Sequence, residues 1–108
     1  MVLDEILQTV EERKRFPQEG SYTNYLLEKG LDKILKKVGE EAAETIIAAK
    51  NPGDTELTGE VADLLYHLTV MLSVRGLSWQ QVFAVLEQRE QKTGNLKPKN
   101  HPETVTEY

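Results

Sequence analysis

The chain has 108 residues, of which 39% are hydrophobic and 29% are charged, and its formal net charge is −5 at pH 7. This size and composition are typical of one small globular domain rather than a disordered or fibrous protein. The acidic balance argues against broad binding to nucleic acid, whose phosphates require a basic surface. The sequence contains no cysteine, so any metal must be held by oxygen atoms or by the two histidines.

The amino terminus gives no targeting signal. Residues 1–5 lack a basic region followed by an apolar run, and no stretch approaches the roughly 18 apolar residues that cross a bilayer. The absence of cysteine agrees with a reducing compartment. We therefore expect a cytoplasmic protein without membrane contact.

Hydrophobic residues at helical spacing, with capping residues before each segment and Gly or Pro after it, predict a series of helices. The segments are 3–15, a short one from Ser21 or Thr23 to Gly30, 31–50, Asp54 or Thr55 to about Arg75, and Ser78 to about Gln91. No segment shows strand-like alternation, so the predicted fold class is all-α, an antiparallel bundle of four to five helices. Residues 1–92 are expected to form one domain and residues 93–108 a polar, flexible tail.

Two acidic signatures lie at equal distances on either side of the turn formed by residues 51–54. They are Glu40-Glu41-x-x-Glu44, in the third predicted helix, and Glu60-x-x-Asp63, in the fourth. If these helices fold back on each other, both signatures lie roughly 14 Å from the turn at about 1.5 Å per residue. The spacing therefore predicts one cluster of carboxylates.

The acids have apolar neighbours. On the third helix we expect one face to form the core, with the acids in a wedge across from it; that face holds Leu31, Leu35, Val38, Ala42, Ile46 and Ala49. On the fourth helix the expected core stripe is Val61, Leu65, Leu68 and Leu72, and the arc with the acids also holds His67, Val70 and Val74. Clustered carboxylates near apolar surface lose hydration and repel one another unless protons or a cation neutralise them. Oxygen ligands in this number suit magnesium or manganese, which commonly bind beside substrate phosphates.

A simpler interpretation is that these acids are solvated and paired with lysines. It suits any single Glu, but the set fits it poorly because Glu40, Glu41 and Glu44 place like charges three and four residues apart on one helix. Four lysines precede the acids and either bind phosphates or pair with these glutamates, and the sequence leaves both possibilities open; they are Lys29, Lys33, Lys36 and Lys37. For His67 we expect a structural hydrogen bond.

Longer motifs add a family resemblance. Ser21-Tyr22-Thr23, Lys29-Gly30, the run from Asp32 to Glu44, and Glu60-x-x-Asp63-x-x-Tyr66-His67 closely resemble the phosphoribosyl-ATP pyrophosphatases of histidine biosynthesis. The likeness covers roughly residues 3–92. The run from Ser21 to Asn51 is the more specific part, since the acidic motif alone is similar across the wider MazG-type all-α nucleotide pyrophosphatases.

The resemblance implies a homodimer that hydrolyses the α–β phosphoanhydride of phosphoribosyl-ATP to phosphoribosyl-AMP and pyrophosphate. Magnesium is the implied metal, with manganese as the alternative. The implied metal ligands are Glu41, Glu44, Glu60 and Asp63, and the catalytic residues are Glu40, Glu41 and Glu44, with Glu40 a candidate for orienting the attacking water. Lys33 and Lys37 are the implied phosphate-binding residues.

Some questions stay open at this level. The chain has neither the length nor the cysteines of the cyclohydrolase to which many relatives are fused, so it resembles a stand-alone enzyme, and residues 90–108 do not match the ending of many members. The number of metal ions, the identity of the base and the sharing of a site across the dimer are not determined. Two other functions remain: a hydrolase of canonical or modified nucleoside triphosphates, and a non-catalytic helical dimer.

Overall fold

The structure is a computed structural model that describes residues 1–91. This part of the chain contains five α-helices: α1 (Val2–Arg15), α2 (Tyr22–Lys29), α3 (Leu31–Lys50), α4 (Asp54–Val74) and α5 (Trp79–Glu90). No strand occurs among these residues, so the all-α class is confirmed and the predicted boundaries hold to within one or two residues. The predicted tail, residues 93–108, lies outside the described residues.

The short helix α2 has a side-chain N-cap at its start and a glycine with positive φ at its end. The Ser21 hydroxyl oxygen accepts a hydrogen bond from the backbone N–H of Asn24 at 3.1 Å, which makes Ser21 rather than Thr23 the N-cap. Gly30 has φ +92°, a backbone conformation that side-chain-bearing residues rarely adopt. The chain therefore leaves α2 at Gly30 and enters α3 at the next residue.

The chain divides into two units, Met1–Ser78 and a second that begins at Trp79. In the first, one residue from each helix meets in a fully buried cluster: Val10, Leu26, Ile34 and Val70. The half-buried Tyr66 packs against this cluster. In the second unit, the rings of Trp79 and Phe83 stack with their centroids 5.8 Å apart.

Polar contacts join α1 to the end of α4. The Ser73 hydroxyl donates a hydrogen bond to Glu11 Oε1 at 2.6 Å, and Lys14 Nζ donates one to the Ser73 carbonyl at 2.8 Å. The hydrogen bond from Ser73 is the main reason that the pKa of Glu11 lies below its usual value. These contacts set the position of α4, the helix that carries Glu60 and Asp63.

The predicted core face of α3 is wrong for the single chain, and the predicted core stripe of α4 is only partly right. On α3 the buried residues are Ile34, Glu41 and Ala48, a stripe turned by roughly a quarter turn from the predicted face at about 100° per residue. The predicted face is instead largely open, with Leu35 43% and Ile46 67% exposed. On α4 the fully buried Val70 lies on the arc assigned to the acids. Of the predicted stripe, Leu72 is buried, Leu65 and Leu68 are half-buried and Val61 is exposed. Packing against the chain's own helices therefore buries part of each acid-bearing face and leaves Leu35, Ile46 and Val61 at the surface.

Within residues 1–91, no helix combines the length and the apolar character needed to cross a membrane.

Candidate active site

The hairpin of α3 and α4 brings three of the predicted carboxylates together. One oxygen each from Glu41, Glu60 and Asp63 lies within 4.8 Å of the others. Glu41 and Asp63 stand equally far along the sequence from Pro52, and two antiparallel helices place such residues at the same height. The prediction of one carboxylate cluster is therefore confirmed. We call Glu41, Glu60 and Asp63 the carboxylate cluster.

Glu41 occupies a core position of α3. It follows Ile34 by seven residues and precedes Ala48 by seven, so all three side chains lie on one face, and Glu41 is only 8% exposed. Burial is the main reason that the pKa of Glu41 is raised above its usual value. A carboxylate at a position otherwise occupied by apolar residues destabilises the fold unless something neutralises its charge.

Two oxygen atoms in the cluster lack a partner. Glu41 Oε2 and Glu60 Oε2 are buried and make no hydrogen bond within the described residues. Buried polar atoms in proteins are nearly always hydrogen-bonded, and an exception usually marks a missing ion or water, or a functional group. These two atoms point to a ligand of positive charge.

Among the three carboxyl groups of the cluster, Glu60 has the most strongly raised pKa. Its pKa is raised to about 7, first by the neighbouring Glu44 carboxyl, then by burial and by Glu41. Like charges in close contact disfavour the ionised form. Near neutral pH the cluster therefore holds either a proton or a cation.

Glu44 and Glu40 take different places. Glu44 is exposed and is not part of the group of three, but it is close enough to raise the pKa of both Glu41 and Glu60. Glu40 is also exposed and outside the group. The structure thus brings three of the four predicted metal ligands together, with Glu44 beside them.

The predicted phosphate-binding lysines are half-buried on α3. The charge of Lys37 acts on the hydroxyl of Tyr22, where it opposes the rise in the pKa of that group. Within residues 1–91 neither Lys33, Lys36 nor Lys37 forms an ion pair with a carboxylate. The pairing of Lys36 and Lys37 with the glutamates, which the sequence left open, is therefore not found in this part of the chain.

Sequence analysis missed one residue beside the cluster. Tyr22 places its hydroxyl 2.9 Å from His67 Nε2, and His67 Nδ1 lies 2.8 Å from the backbone carbonyl of Asp63. His67 is buried, so the structural hydrogen bond expected for it is confirmed. The contact joins residues 45 positions apart, and only the presence of Tyr22 and His67 in separate family motifs offered a signal.

The carboxylate cluster fits a hard divalent cation. Its ligand atoms are all oxygen, two of them buried and unpartnered, and a cation between them would relieve repulsion and satisfy both atoms. Magnesium is commonly bound through one or two carboxylates with waters and substrate phosphates completing its shell.

Comparison with known proteins agrees with this chemistry. Residues 3–90 match the family described as phosphoribosyl-ATP pyrophosphohydrolase. The chain belongs to this family. It is therefore an enzyme of the hydrolase class.

Individual relatives of the family are similar over most of the chain. The phosphoribosyl-ATP pyrophosphatase of Lactiplantibacillus plantarum is 56% identical over 95 residues, which cover 88% of this chain and 90% of the relative. That of Streptococcus thermophilus is 51% identical over 107 residues, covering 99% of this chain and all of the relative. The histidine biosynthesis bifunctional protein HisIE of Lactococcus lactis is 50% identical over 96 residues, which cover 45% of its length.

The raised pKa of Glu60 predicts how the stability of the metal-free protein depends on pH. Between the ordinary value of 4.5 and about 7, the folded protein keeps a proton that the unfolded chain releases, so the free energy of unfolding falls as pH rises through this window. Thermal unfolding with a chelator should show the melting temperature decreasing from pH 4.5 to 7 and then levelling.

The Glu60→Gln variant should show a smaller decrease, because residue 60 no longer titrates while Glu41, whose pKa is also raised, still does. The lowered pKa of Glu11 acts in the opposite direction, since its contribution to stability is lost as pH falls below the ordinary glutamate range. Equal slopes for wild type and Glu60→Gln between pH 4.5 and 7 would contradict the assignment.

Proposed function

We propose that this chain hydrolyses the α–β phosphoanhydride of phosphoribosyl-ATP to phosphoribosyl-AMP and pyrophosphate, with magnesium as its cofactor. The reaction is the second step of histidine biosynthesis, for which the cytoplasm is the expected compartment. Support comes from the names of relatives that share half or more of their aligned residues with this chain. The observation that carries the proposal is the carboxylate cluster, in which one oxygen of Glu41 and one of Glu60 are buried and unpartnered.

In this proposal Glu41, Glu60 and Asp63 hold the cation, with Glu44 as a further ligand beside them. When bound, magnesium supplies positive charge that screens the phosphate oxygens and stabilises the charge that develops on the leaving pyrophosphate. Manganese shares the preference for oxygen ligands and is expected to substitute. The raised pKa values of Glu41 and Glu60 show that holding these carboxylates together disfavours their ionised forms.

The remaining residues bind phosphate and orient water. Lys33 and Lys37 precede the cluster on α3 and are not paired with carboxylates within residues 1–91, so their ammonium groups are available to substrate phosphates. Glu40 and Glu44 are both exposed; Glu44 lies beside the cluster, and Glu40 is the neighbour of Glu41 in the sequence. A solvated carboxylate at this place can accept a proton from the attacking water, and we assign that role first to Glu40.

A Glu41→Gln variant tests the site directly. The amide keeps the shape of the side chain but removes the charge of the most buried ligand, so pyrophosphate release from phosphoribosyl-ATP with magnesium should fall by more than about a hundredfold, beyond the loss typical of changes next to a metal ligand. The metal-free variant should stay folded and unfold at a temperature no lower than wild type, because a repulsive charge is gone.

Glu12→Gln is the matched control, since Glu12 is an exposed glutamate on α1 and should keep wild-type activity. Full activity in Glu41→Gln would exclude Glu41 as an essential ligand. Rapid turnover of deoxynucleoside triphosphates without action on phosphoribosyl-ATP would instead favour the wider MazG-type activity. Failure of wild type to bind magnesium in the presence of a nucleotide analogue would favour a non-catalytic protein.

We also propose that the chain works as a homodimer. The face of α3 with Leu35 and Ile46 and the face of α4 with Val61 are apolar and remain exposed in the single chain. Exposed apolar faces on adjacent helices are typical of protein interfaces, and a small helical domain gains burial by pairing with a second copy. A symmetric pairing of two α3–α4 hairpins would cover both faces.

Ile46→Asp should disrupt this dimer, because it places a charge at the centre of the apolar face. The molar mass from light scattering coupled to size-exclusion chromatography should fall from about two chains to one at micromolar concentration. Lys36→Asp puts the same side chain at an exposed position of α3 outside that face and should leave the mass unchanged. A wild-type protein that is monomeric at these concentrations would contradict the proposal.

A further inference from the structure

Tyr22 connects a different helix to the carboxylate cluster. It begins α2 and reaches His67 on α4 through its hydroxyl, while its ring stacks between those of Tyr25 and Tyr66 with centroids 6.0 Å from each. His67 in turn contacts the backbone of Asp63. A chain of two hydrogen bonds thus leads from α2 to the turn of α4 that carries Glu60 and Asp63.

For the neutral form of His67, the chemistry of its two partners fixes the direction of both hydrogen bonds. A backbone carbonyl only accepts, so His67 Nδ1–H donates to the Asp63 carbonyl oxygen. In a neutral imidazole the other nitrogen then has no proton, and the Tyr22 hydroxyl donates to His67 Nε2. The hydroxyl proton of Tyr22 is therefore used in the hydrogen bond to His67, and the hydroxyl oxygen can only accept hydrogen bonds from other groups.

The surroundings of the Tyr22 hydroxyl place it at the edge of the site. Its pKa is raised, chiefly by burial, while the charge of Lys37 opposes this rise and that of Glu41 adds to it. The Tyr22 hydroxyl therefore interacts electrostatically with a predicted phosphate-binding lysine and with a member of the carboxylate cluster. Because its proton is engaged, it cannot donate a hydrogen bond to a phosphate oxygen, and its contribution must come through the groups that it holds.

We infer that Tyr22 and His67 are positioning residues, whose hydrogen bond holds the α4 turn of Glu60 and Asp63 against α2 and so keeps the carboxylate cluster arranged for a divalent cation. The inference rests on the proposed metal-dependent function. Three acidic side chains within 4.8 Å repel one another and separate unless the backbone that carries them is restrained. Groups that fix the ligands of a metal commonly change its affinity by about 10–100-fold.

The test is the affinity for magnesium of a Tyr22→Phe variant. This change removes only the hydroxyl and keeps the stacked ring, so circular dichroism and thermal unfolding without metal should stay close to wild type. The dissociation constant for Mg²⁺, measured by calorimetry without substrate, should rise by about tenfold, the low end of the range because the bond reaches a ligand's backbone rather than its carboxylate.

Tyr25→Phe is the matched control. Tyr25 lies one turn further along α2, is as exposed as Tyr22, and its hydroxyl makes no hydrogen bond within residues 1–91. Its variant should bind Mg²⁺ as wild type does. A loss of affinity in Tyr22→Phe without one in Tyr25→Phe separates positioning of the cluster from a general effect on α2.

A second pair of variants identifies the bond responsible. His67→Asn can still donate to the Asp63 carbonyl but is too short to reach Tyr22, so it should weaken Mg²⁺ binding as much as Tyr22→Phe. The double variant should be no weaker than either single one, because all three lack the same hydrogen bond. Equal affinity of wild type and Tyr22→Phe, or additive losses in the double variant, would overturn this inference alone. Absence of Mg²⁺ binding to wild type, with or without a nucleotide analogue, would overturn the proposed function and this inference together.

Discussion

Repulsion among carboxylates crowded between α3 and α4 is the constraint on which the rest of the structure depends. Glu41 stands where the core would take an apolar side chain, and Glu60 meets it from the opposite helix with one oxygen buried and unpartnered. Such an arrangement persists only if the surrounding fold holds it in place, since each group alone would gain by moving into water. The fold does so with a tight turn at residues 51–53, a buried cluster built from four helices and the contact of Tyr22 with His67. A cation that binds between the carboxylates removes their mutual repulsion, and this relief contributes to the free energy of binding.

The two sides of the α3–α4 hairpin differ: one carries the acidic site and the other is an exposed apolar surface. The side turned toward the chain's own helices carries the buried Glu41 together with Ile34 and Val70, so the site begins at the edge of the core and opens to solvent at the exposed Asp63. The other side is more apolar yet exposed. A second copy covering it would stiffen both helices from behind, and the dimer and the site would then be linked through the same two helices.

Much of this was predictable from sequence. Caps, periodicity and stop signals are local, so helix boundaries such as Leu31–Lys50 were predicted correctly, and the matching distances of the two acidic signatures from the turn predicted that their carboxylates meet. The core face of α3 was not predicted, and that of α4 only in part, because both helices carry two partly apolar arcs and periodicity does not tell which one meets the chain's own helices. The seven-residue spacing of Ile34, Glu41 and Ala48, which puts them on one side of the helix, was the signal that indicated the correct face. The Tyr22–His67 contact depends on how α2 docks on α4, and no local pattern encodes such a long-range pair.

The most direct test of this account is a crystal structure of the protein grown with manganese, with anomalous scattering recorded to locate the ion. Manganese replaces magnesium at oxygen-ligand sites and is identified by its own signal. The account predicts an anomalous peak between the carboxylates of Glu41, Glu60 and Asp63, with oxygen atoms at about 2.1–2.2 Å, slightly beyond the distance typical of magnesium. A manganese-saturated crystal without a peak at these three carboxylates would contradict the claim that the carboxylate cluster binds a cation.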